Sequence, residues 1–395
     1  MTRRLSIMGS TGSVGQSALS VVTHANAVAG EIQFEIEALS AHTSVETLAK
    51  QAKACGAKLA IIGDEKQYGA LKERLSGSGI EAAAGEEAIS EAARRPVDRV
   101  LAAIVGVAGL RSTHAAIDAG NSVALANKES MVCAGPLLTQ LAAERQVSIV
   151  PTDSEHNAMF QVLERKSDVE KLLLTASGGP FLETPLERLH NVTPDEACAH
   201  PRWKMGRKIS VDSATFMNKA LELIEAAYLF DLPESRIEVV VHPQSVIHSL
   251  VSYVDGSVLA QLGTPDMQTP IAHALSWPEG RVQTNVSRLD LFEIGTLDFR
   301  RVDDSRFPAI NLSRRALNEG LAATVVMNAA NEIAVEAFLD GRCRFTDIVE
   351  IVRRALSHDI AEAALLGDSP DLESIIALDR AAREHSVSMV ESVRS

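Results

Sequence analysis

The decapeptide PTDSEHNAMF, Pro151 to Phe160, places two carboxylates, Asp153 and Glu155, two residues apart beside His156. Carboxylate oxygens are the preferred ligands of hard divalent cations, so the pattern suggests a metal site. The same residues fit a helix capping box, with Thr152 at the N-cap and Glu155 three residues on. In that role the Glu155 carboxylate reaches back to the Thr152 backbone N–H and has little freedom to hold a cation. On spacing alone the cap is favoured. A third carboxylate lies in SVDSATFMNKALELIEA, where helical spacing puts Asn218, Lys219 and Glu222 on one face. A surface Lys–Glu pair would show this spacing. A face aimed into a site would instead offer Asn218 and Lys219 to an anion and Glu222 to a metal.

Other segments carry groups for an anion. ASGGPF and VDSAT supply Ser177 and Ser213, hydroxyls near glycine N–H groups of the kind that bind phosphate. HPRWKMGRK, His200 to Lys208, holds Arg202, Lys204, Arg207 and Lys208 with no acid, a basic patch on an acidic chain. Trp203 inside it suits a mobile lid over residues 198–208 that excludes water. ANKES places Lys128, between Asn127 and Glu129, at the end of an apolar run. His242 and His248, flanking PQSVI, read as structural histidines.

GSTGSVG, Gly9 to Gly15, has glycines at 9, 12 and 15, between a strand-like and a helix-like stretch. Glycine lets a backbone approach a pyrophosphate, and the following helix N-terminus stabilises its charge. The second strand should end in the group that reads the adenosine ribose. LSAHTSVE offers His42, Thr43 and Ser44 with no acid before Glu46. An acid there would repel a 2′-phosphate, so its absence points to NADPH over NADH.

These residues need elements to position them. Up to about residue 150, RLSIMG, FEIEAL, KLAIIG, RVLAAIVG, SVALAN and VSIVP read as strands with helical periodicity between them. That alternation predicts an α/β, Rossmann-like parallel sheet, with ligands beyond the strands' carboxyl ends. GSTGSVG, SAHTS, GDE, ANKES and PTDSEH then share one rim. Over 151–285 the pattern becomes α+β with a partly antiparallel sheet: EKLLLTASGGP, RIEVVV, SVIHSLVSYV and SVLAQL as strands, the last two joined at Asp255-Gly256. Residues 286–312 read as a linker and 313–395 as a C-terminal helical bundle.

The chain has 395 residues, 46% hydrophobic, with mean hydropathy +0.05. This composition describes a globular protein with a large core. Net charge −14 and pI ≈ 5.3 disfavour nucleic acid or an anionic membrane as partner. The longest apolar run, VLAAIVGVAGL, falls short of the roughly 20 residues a membrane helix needs. Cys55, Cys133, Cys198 and Cys343 form no C-x-x-C pair, which suits a reducing cytoplasm. The start, MTRRLSIMGS, goes straight into a strand-like pattern, and the expected location is cytoplasmic.

Taken in order, GSTGSVG, ALANKES, PTDSEHNA, TASGGPF, HPRWKMGRKISVDSATFMNKALELIEA, HPQSVIHS and MNAANEIAVEAF closely resemble the 1-deoxy-D-xylulose 5-phosphate reductoisomerase family over nearly the whole chain. The resemblance implies an NADPH domain over 1–150, a catalytic and dimerising domain over 151–285, the linker and the helical domain. It implies conversion of 1-deoxy-D-xylulose 5-phosphate to 2-C-methyl-D-erythritol 4-phosphate, by carbon–carbon cleavage and re-formation followed by hydride transfer, on the non-mevalonate route to isoprenoids. Asp153, Glu155 and Glu222 would bind Mg²⁺, Mn²⁺ or Co²⁺. Ser177, Ser213, Asn218 and Lys219, with His200, would hold the phosphate. Lys128 and Ser154 would contact the substrate's oxygens. Thr11, Gly12, Ser13, Val14, Asn127, Glu129 and Gly206 would contact NADPH, with Gly9 in the same turn, and Trp203 would sit on the closing lid over the substrate. The family usually has Gly, a basic residue and Asn where this chain has His42, Thr43 and Ser44. Two rival readings remain: a phosphate-linked semialdehyde dehydrogenase with Cys133 as nucleophile, and a non-catalytic NADP-binding sensor.

Overall fold

The computed structural model describes residues 2–30, 32–203, 205–357, 366 and 370–393. The chain divides into two compact units, each assembled from three stretches of sequence. The first comprises Met1–Ser130, Leu138–Phe160 and Asp266–Arg288; the second comprises Met131–Leu137, Gln161–Pro265 and Leu289–Ser395.

The first unit is built on seven strands: β1 (Arg3–Met8), β2 (Phe34–Ala41), β3 (Leu59–Ile62), β4 (Glu81–Ala84), β5 (Arg99–Ala102), β6 (Val123–Leu125) and β7 (Ile149–Pro151). Their order is β4-β3-β2-β1-β5-β6-β7, and every pairing is parallel. Leu5, Ile7, Ile61, Ile62 and Leu101 are fully buried, as strands covered on both faces require. The strand order reverses beside β1, which makes the carboxyl end of β1 the natural ligand crevice. All six strands expected from the sequence form here. The seventh, β4, reads EAAA and has no β-branched or aromatic residue to announce it. The five loops named above leave the carboxyl ends of β1, β2, β3, β6 and β7, and so share one rim. The helix Gln268–Ser276 belongs to this unit. Arg3 donates to the Leu275 carbonyl at 2.8 Å, and Ile271 and Leu275 join the core around Leu5 and Val21.

The second unit holds a mixed sheet ordered β11-β10-β8-β9-β12, from β8 (Val169–Ala176), β9 (Ile237–Val241), β10 (Ile247–Tyr253), β11 (Val258–Leu262) and β12 (Arg300–Arg301). β8 and β9 are parallel; the other pairings are antiparallel. The expected hairpin turns at Asp255-Gly256, with Gly256 at φ +88°, where a side chain would be strained. β12 lies in the polar stretch read as a linker, and its two exposed arginines gave no strand signal. Helices Arg207–Thr215, Met217–Phe230, Ala309–Glu319, Leu321–Leu339, Phe345–Leu356 and Leu372–Val393 complete the unit. Val211 and Ala214 share a core with Ala334, Val335 and Phe338. Leu321–Leu339 is the one helix among the described residues long and apolar enough to cross a membrane; 72% of its apolar window is buried inside the fold.

Candidate active site

In the first unit the GSTGSVG loop follows β1 directly. Gly9 sits at φ +92°, and a Cβ there would lie 2.6 Å from the Ala103 carbonyl oxygen. A Cβ on Gly15 would lie 2.4 Å from the Gly9 oxygen. Both glycines are demanded by the fold. Gly12 differs: its φ is −72° and a Cβ would meet nothing closer than 3.6 Å. The fold therefore does not require glycine at position 12. No side chain caps the helix Ser13–Ala29, and Gly12 and Ser13 are exposed at its start, beside half-buried Thr11 and Val14. That leaves a helix N-terminus open to an anion. His42, Thr43 and Ser44 lie exposed just past the end of β2.

Asn127 caps the helix Lys128–Arg145. Its Oδ1 accepts from Ser130 N at 2.9 Å, and its Nδ2 donates to the carbonyls of Gly106, at 2.8 Å, and Ile104. It is 2% exposed and braces the loop after β5 against the loop after β6. Glu129 is also buried. Lys128 is 5% exposed, and its ammonium donates to Asp153 Oδ2 at 2.5 Å. A lysine is seldom so buried without a partner or a task.

The capping box at Thr152 does not form. The Thr152 hydroxyl is buried without a hydrogen-bond partner, and its N–H donates to Leu125 O at 2.8 Å as part of the sheet. The helix starts at Ser154, and Asp153 Oδ1 accepts from Glu155 N at 3.4 Å. Glu155 is thus released from the role that competed for it, and Ser154 Oγ donates to its carboxylate.

In the second unit, Asn218, Lys219 and Glu222 share one helix face as expected. Asn218 Nδ2 donates to Glu222 Oε1 at 2.5 Å, and Lys219 Nζ pairs with Oε2. This is no surface pair, since Lys219 is 5% and Glu222 1% exposed. Both glycines after β8 have positive φ, and a Cβ on Gly179 would lie 2.9 Å from the Ser213 carbonyl oxygen. That close approach brings the Ser177 loop onto the end of the helix carrying Ser213.

His200 ties the same loop to the basic segment. Its Nδ1 accepts from the N–H groups of Arg202, at 3.1 Å, and Trp203, at 2.9 Å. The ring proton is therefore on Nε2, which donates to Ser177 Oγ at 2.9 Å. Half-buried Trp203 lies against the ring of His248, centroids 6.1 Å apart. Gly206 is exposed and ends the segment as N-cap of the helix Arg207–Thr215. Lys204 lies outside the described residues. His242 is structural, as read: its Nδ1–H donates to Asp298 O at 2.8 Å, and its Nε2 accepts from Val246 and Ile247 N–H at 3.2 Å.

Burial lowers the pKa of His200, His248 and His273 from 6.5 to about 4 each. The unfolded chain then binds protons that the native state refuses. Stability should be complete above about pH 6.5 and fall as pH drops toward 4. At His200 a second proton would have to enter at Nδ1 and break the Arg202–Trp203 turn. Melting temperatures taken from pH 7.5 to 4.5 should decline below 6.5; a flat profile would contradict this.

Two features escaped the sequence reading. Asp212 lies buried beside Ser213 and pairs with Lys208 at 2.9 Å; an i,i+4 check of that short helix would have found it. Asn331, which bonds Asp212 at 2.8 Å, is distant in sequence and gave no local signal. Cys133 is fully buried in a helix, which leaves it a poor nucleophile for the dehydrogenase reading.

A parallel sheet with an open glycine loop at β1, joined in one chain to a unit with a buried lysine–carboxylate face, defines a two-unit α/β protein of the nucleotide-binding type. Three family models match: 1-deoxy-D-xylulose 5-phosphate reductoisomerase over residues 5–135, and two C-terminal domains of that enzyme over 149–230 and 262–385. The chain is 49% identical to the reductoisomerase of Rhizobium rhizogenes, covering 97% of this chain and 95% of the relative. It is 49% identical to that of Pseudomonas syringae, covering 96% of each. Among solved structures, the Zymomonas mobilis enzyme in complex with NADPH superposes with a TM-score of 0.91 at 45% identity, covering 99% of this chain and 100% of that one. A DOX-P reductoisomerase in complex with NADPH, fosmidomycin and magnesium gives 0.95 at 42%, covering 100% and 99%. The chain belongs to the 1-deoxy-D-xylulose 5-phosphate reductoisomerase family, and it is an oxidoreductase of that reaction.

Proposed function

We propose that this chain converts 1-deoxy-D-xylulose 5-phosphate to 2-C-methyl-D-erythritol 4-phosphate with NADPH and a divalent cation, Mg²⁺, Mn²⁺ or Co²⁺. The observation that carries the site assignment is the pair of buried lysine–carboxylate contacts, Lys128 with Asp153 and Lys219 with Glu222. The cation's ligands would be Asp153, Glu155 and Glu222. Three carboxylates are a donor set suited to a hard cation, and Glu155 is not consumed by a capping box. When bound, the cation polarises the hydroxyketone and NADPH supplies the hydride.

The chain's own residues do the rest. The Lys128 ammonium, dry and already oriented, stabilises negative charge developing on a substrate oxygen. Ser154 contacts the same oxygens. Ser177, Ser213, Asn218 and Lys219 hold the phosphate, with the His200 Nε2–H directed to the same place. Because His200 also holds the Arg202–Trp203 turn, phosphate binding favours closure of the 198–208 lid, and Trp203 then excludes water. Gly9 to Val14 would receive the cofactor's pyrophosphate, Asn127, Glu129 and Gly206 would also contact NADPH, and His42 to Ser44 would read its ribose.

NADPH oxidation with the sugar phosphate tests this reading. Turnover should vanish with chelator and return with Mg²⁺, Mn²⁺ or Co²⁺; no NADPH oxidation at all would leave the sensor reading, and oxidation indifferent to chelator would remove the cation from the reaction. NADPH should be preferred over NADH, because no acid follows β2; comparable kcat/KM values would overturn that.

We also infer a cytoplasmic homodimer, with 151–285 as its catalytic and dimerising part, 286–312 as linker and 313–395 as helical domain. The edge strand β11 supports the dimer, since Val258 and Leu259 are 49% and 38% exposed on a sheet edge that is unpaired among the described residues. Leu259→Glu should shift the sedimenting species toward monomer; an unchanged mass would remove β11 from the interface.

A further inference from the structure

We infer that Asn331, on the helix Leu321–Leu339, is a positioning residue for phosphate recognition by Ser213. The inference rests on the reading of Ser177 and Ser213 as the phosphate site. Asp212, the residue before Ser213, has a side chain only 2% exposed. Its carboxylate accepts from Asn331 Nδ2 at 2.8 Å and from Lys208 Nζ at 2.9 Å. Asn331 is fully buried.

The helix bearing both residues, Arg207–Thr215, has nine residues and no side-chain N-cap bond. A helix this short is marginal by itself, and its orientation is set by tertiary contacts. One end follows the lid. The other passes so close to Gly179 that a Cβ there would lie 2.9 Å from the Ser213 carbonyl oxygen, and it turns left-handed at Phe216, φ +62°. Adjacent helix positions are about 100° apart. Fixing the Asp212 carboxylate therefore fixes the rotation about the axis, and with it the direction of the Ser213 hydroxyl. Lys208 cannot do this alone, because it is one turn away on the same helix and rotates with it. Asn331 is the partner from another element. Its amide donates to a carboxylate, a charge-assisted bond stronger than a neutral one.

The test compares wild type with Asn331→Ala and with Asp212→Asn, an isostere that weakens both bonds without opening a cavity. KM for the sugar phosphate and the inhibition constant for inorganic phosphate should both rise about tenfold. KM for NADPH should stay within about twofold of wild type. A drop in melting temperature with both phosphate constants unchanged would overturn the inference and leave Asn331 a packing residue. If Asn331→Ala does not fold, Asp212→Asn decides by the same two constants. Wild type that turns over the substrate but ignores inorganic phosphate would instead count against the phosphate site itself.

Discussion

Glu155→Gln should leave the protein folded and lower metal-dependent turnover by about a hundred- to a thousandfold, the scale of losing a group that acts on the transition state. The amide has the shape of the carboxylate but neither its charge nor its affinity for a hard cation. The Glu155 side chain does not cap the helix, and a glutamine Oε1 can still accept from Ser154 Oγ. The N–H of Glu155 points to Asp153 Oδ1, Thr152's N–H belongs to the sheet, and the Thr152 hydroxyl takes no part. Urea unfolding should therefore move by no more than about 0.5 kcal/mol. A cap residue would behave in the opposite way, losing about 0.5–2 kcal/mol of stability with activity kept. Steady-state kinetics across a Mg²⁺ titration, beside the urea curve, separates the two.

Lys219→Met should have the second largest effect, visible in two ways. Methionine keeps most of the stem's apolar volume and removes the ammonium. The substrate's phosphate loses a charge-assisted contact in a dry site, worth about 1.5–3 kcal/mol, so KM should rise roughly 10- to 100-fold. The protein should also lose stability, because Glu222, 1% exposed, loses the buried cation beside its carboxylate while Asn218 still donates to it. Breaking a buried pair from one side costs about 3–5 kcal/mol. A cation that binds the native Glu222 carboxylate should recover part of that loss by mass action. Denaturation with and without Mg²⁺ reads it directly. An unchanged KM would remove Lys219 from the phosphate site.

How much of this was legible follows from the range of the interactions. Alternating apolar runs marked six parallel strands because strands covered on both faces must be apolar, and β4 was lost because alanine carries no strand preference. Glycine spacing in GSTGSVG was readable, yet only the geometry separates Gly9 and Gly15, which the fold requires, from Gly12, which it does not. Lys219 and Glu222 announced themselves by helical spacing, but their near-complete burial depends on elements far away in sequence. Thr152 shows the reverse case. A local pattern fitted a cap, and the pairing of its N–H with Leu125 in the sheet overrode it. Asn331 had no local signature at all, since its meaning lies in a carboxylate 119 residues earlier.

The helix Gln268–Ser276, threaded back to the first unit, bears on how the chain is made. Arg3 and Ser20 bond to residues 275 and 268, so the parallel sheet lacks part of its cover until nearly 290 residues have left the ribosome. At about 5–20 residues per second, that interval is on the order of 15–60 seconds. Throughout it the nascent chain carries an unfinished apolar surface around Leu5 and Val21, a surface that a holding chaperone would recognise and that the arrival of Ile271 and Leu275 would withdraw.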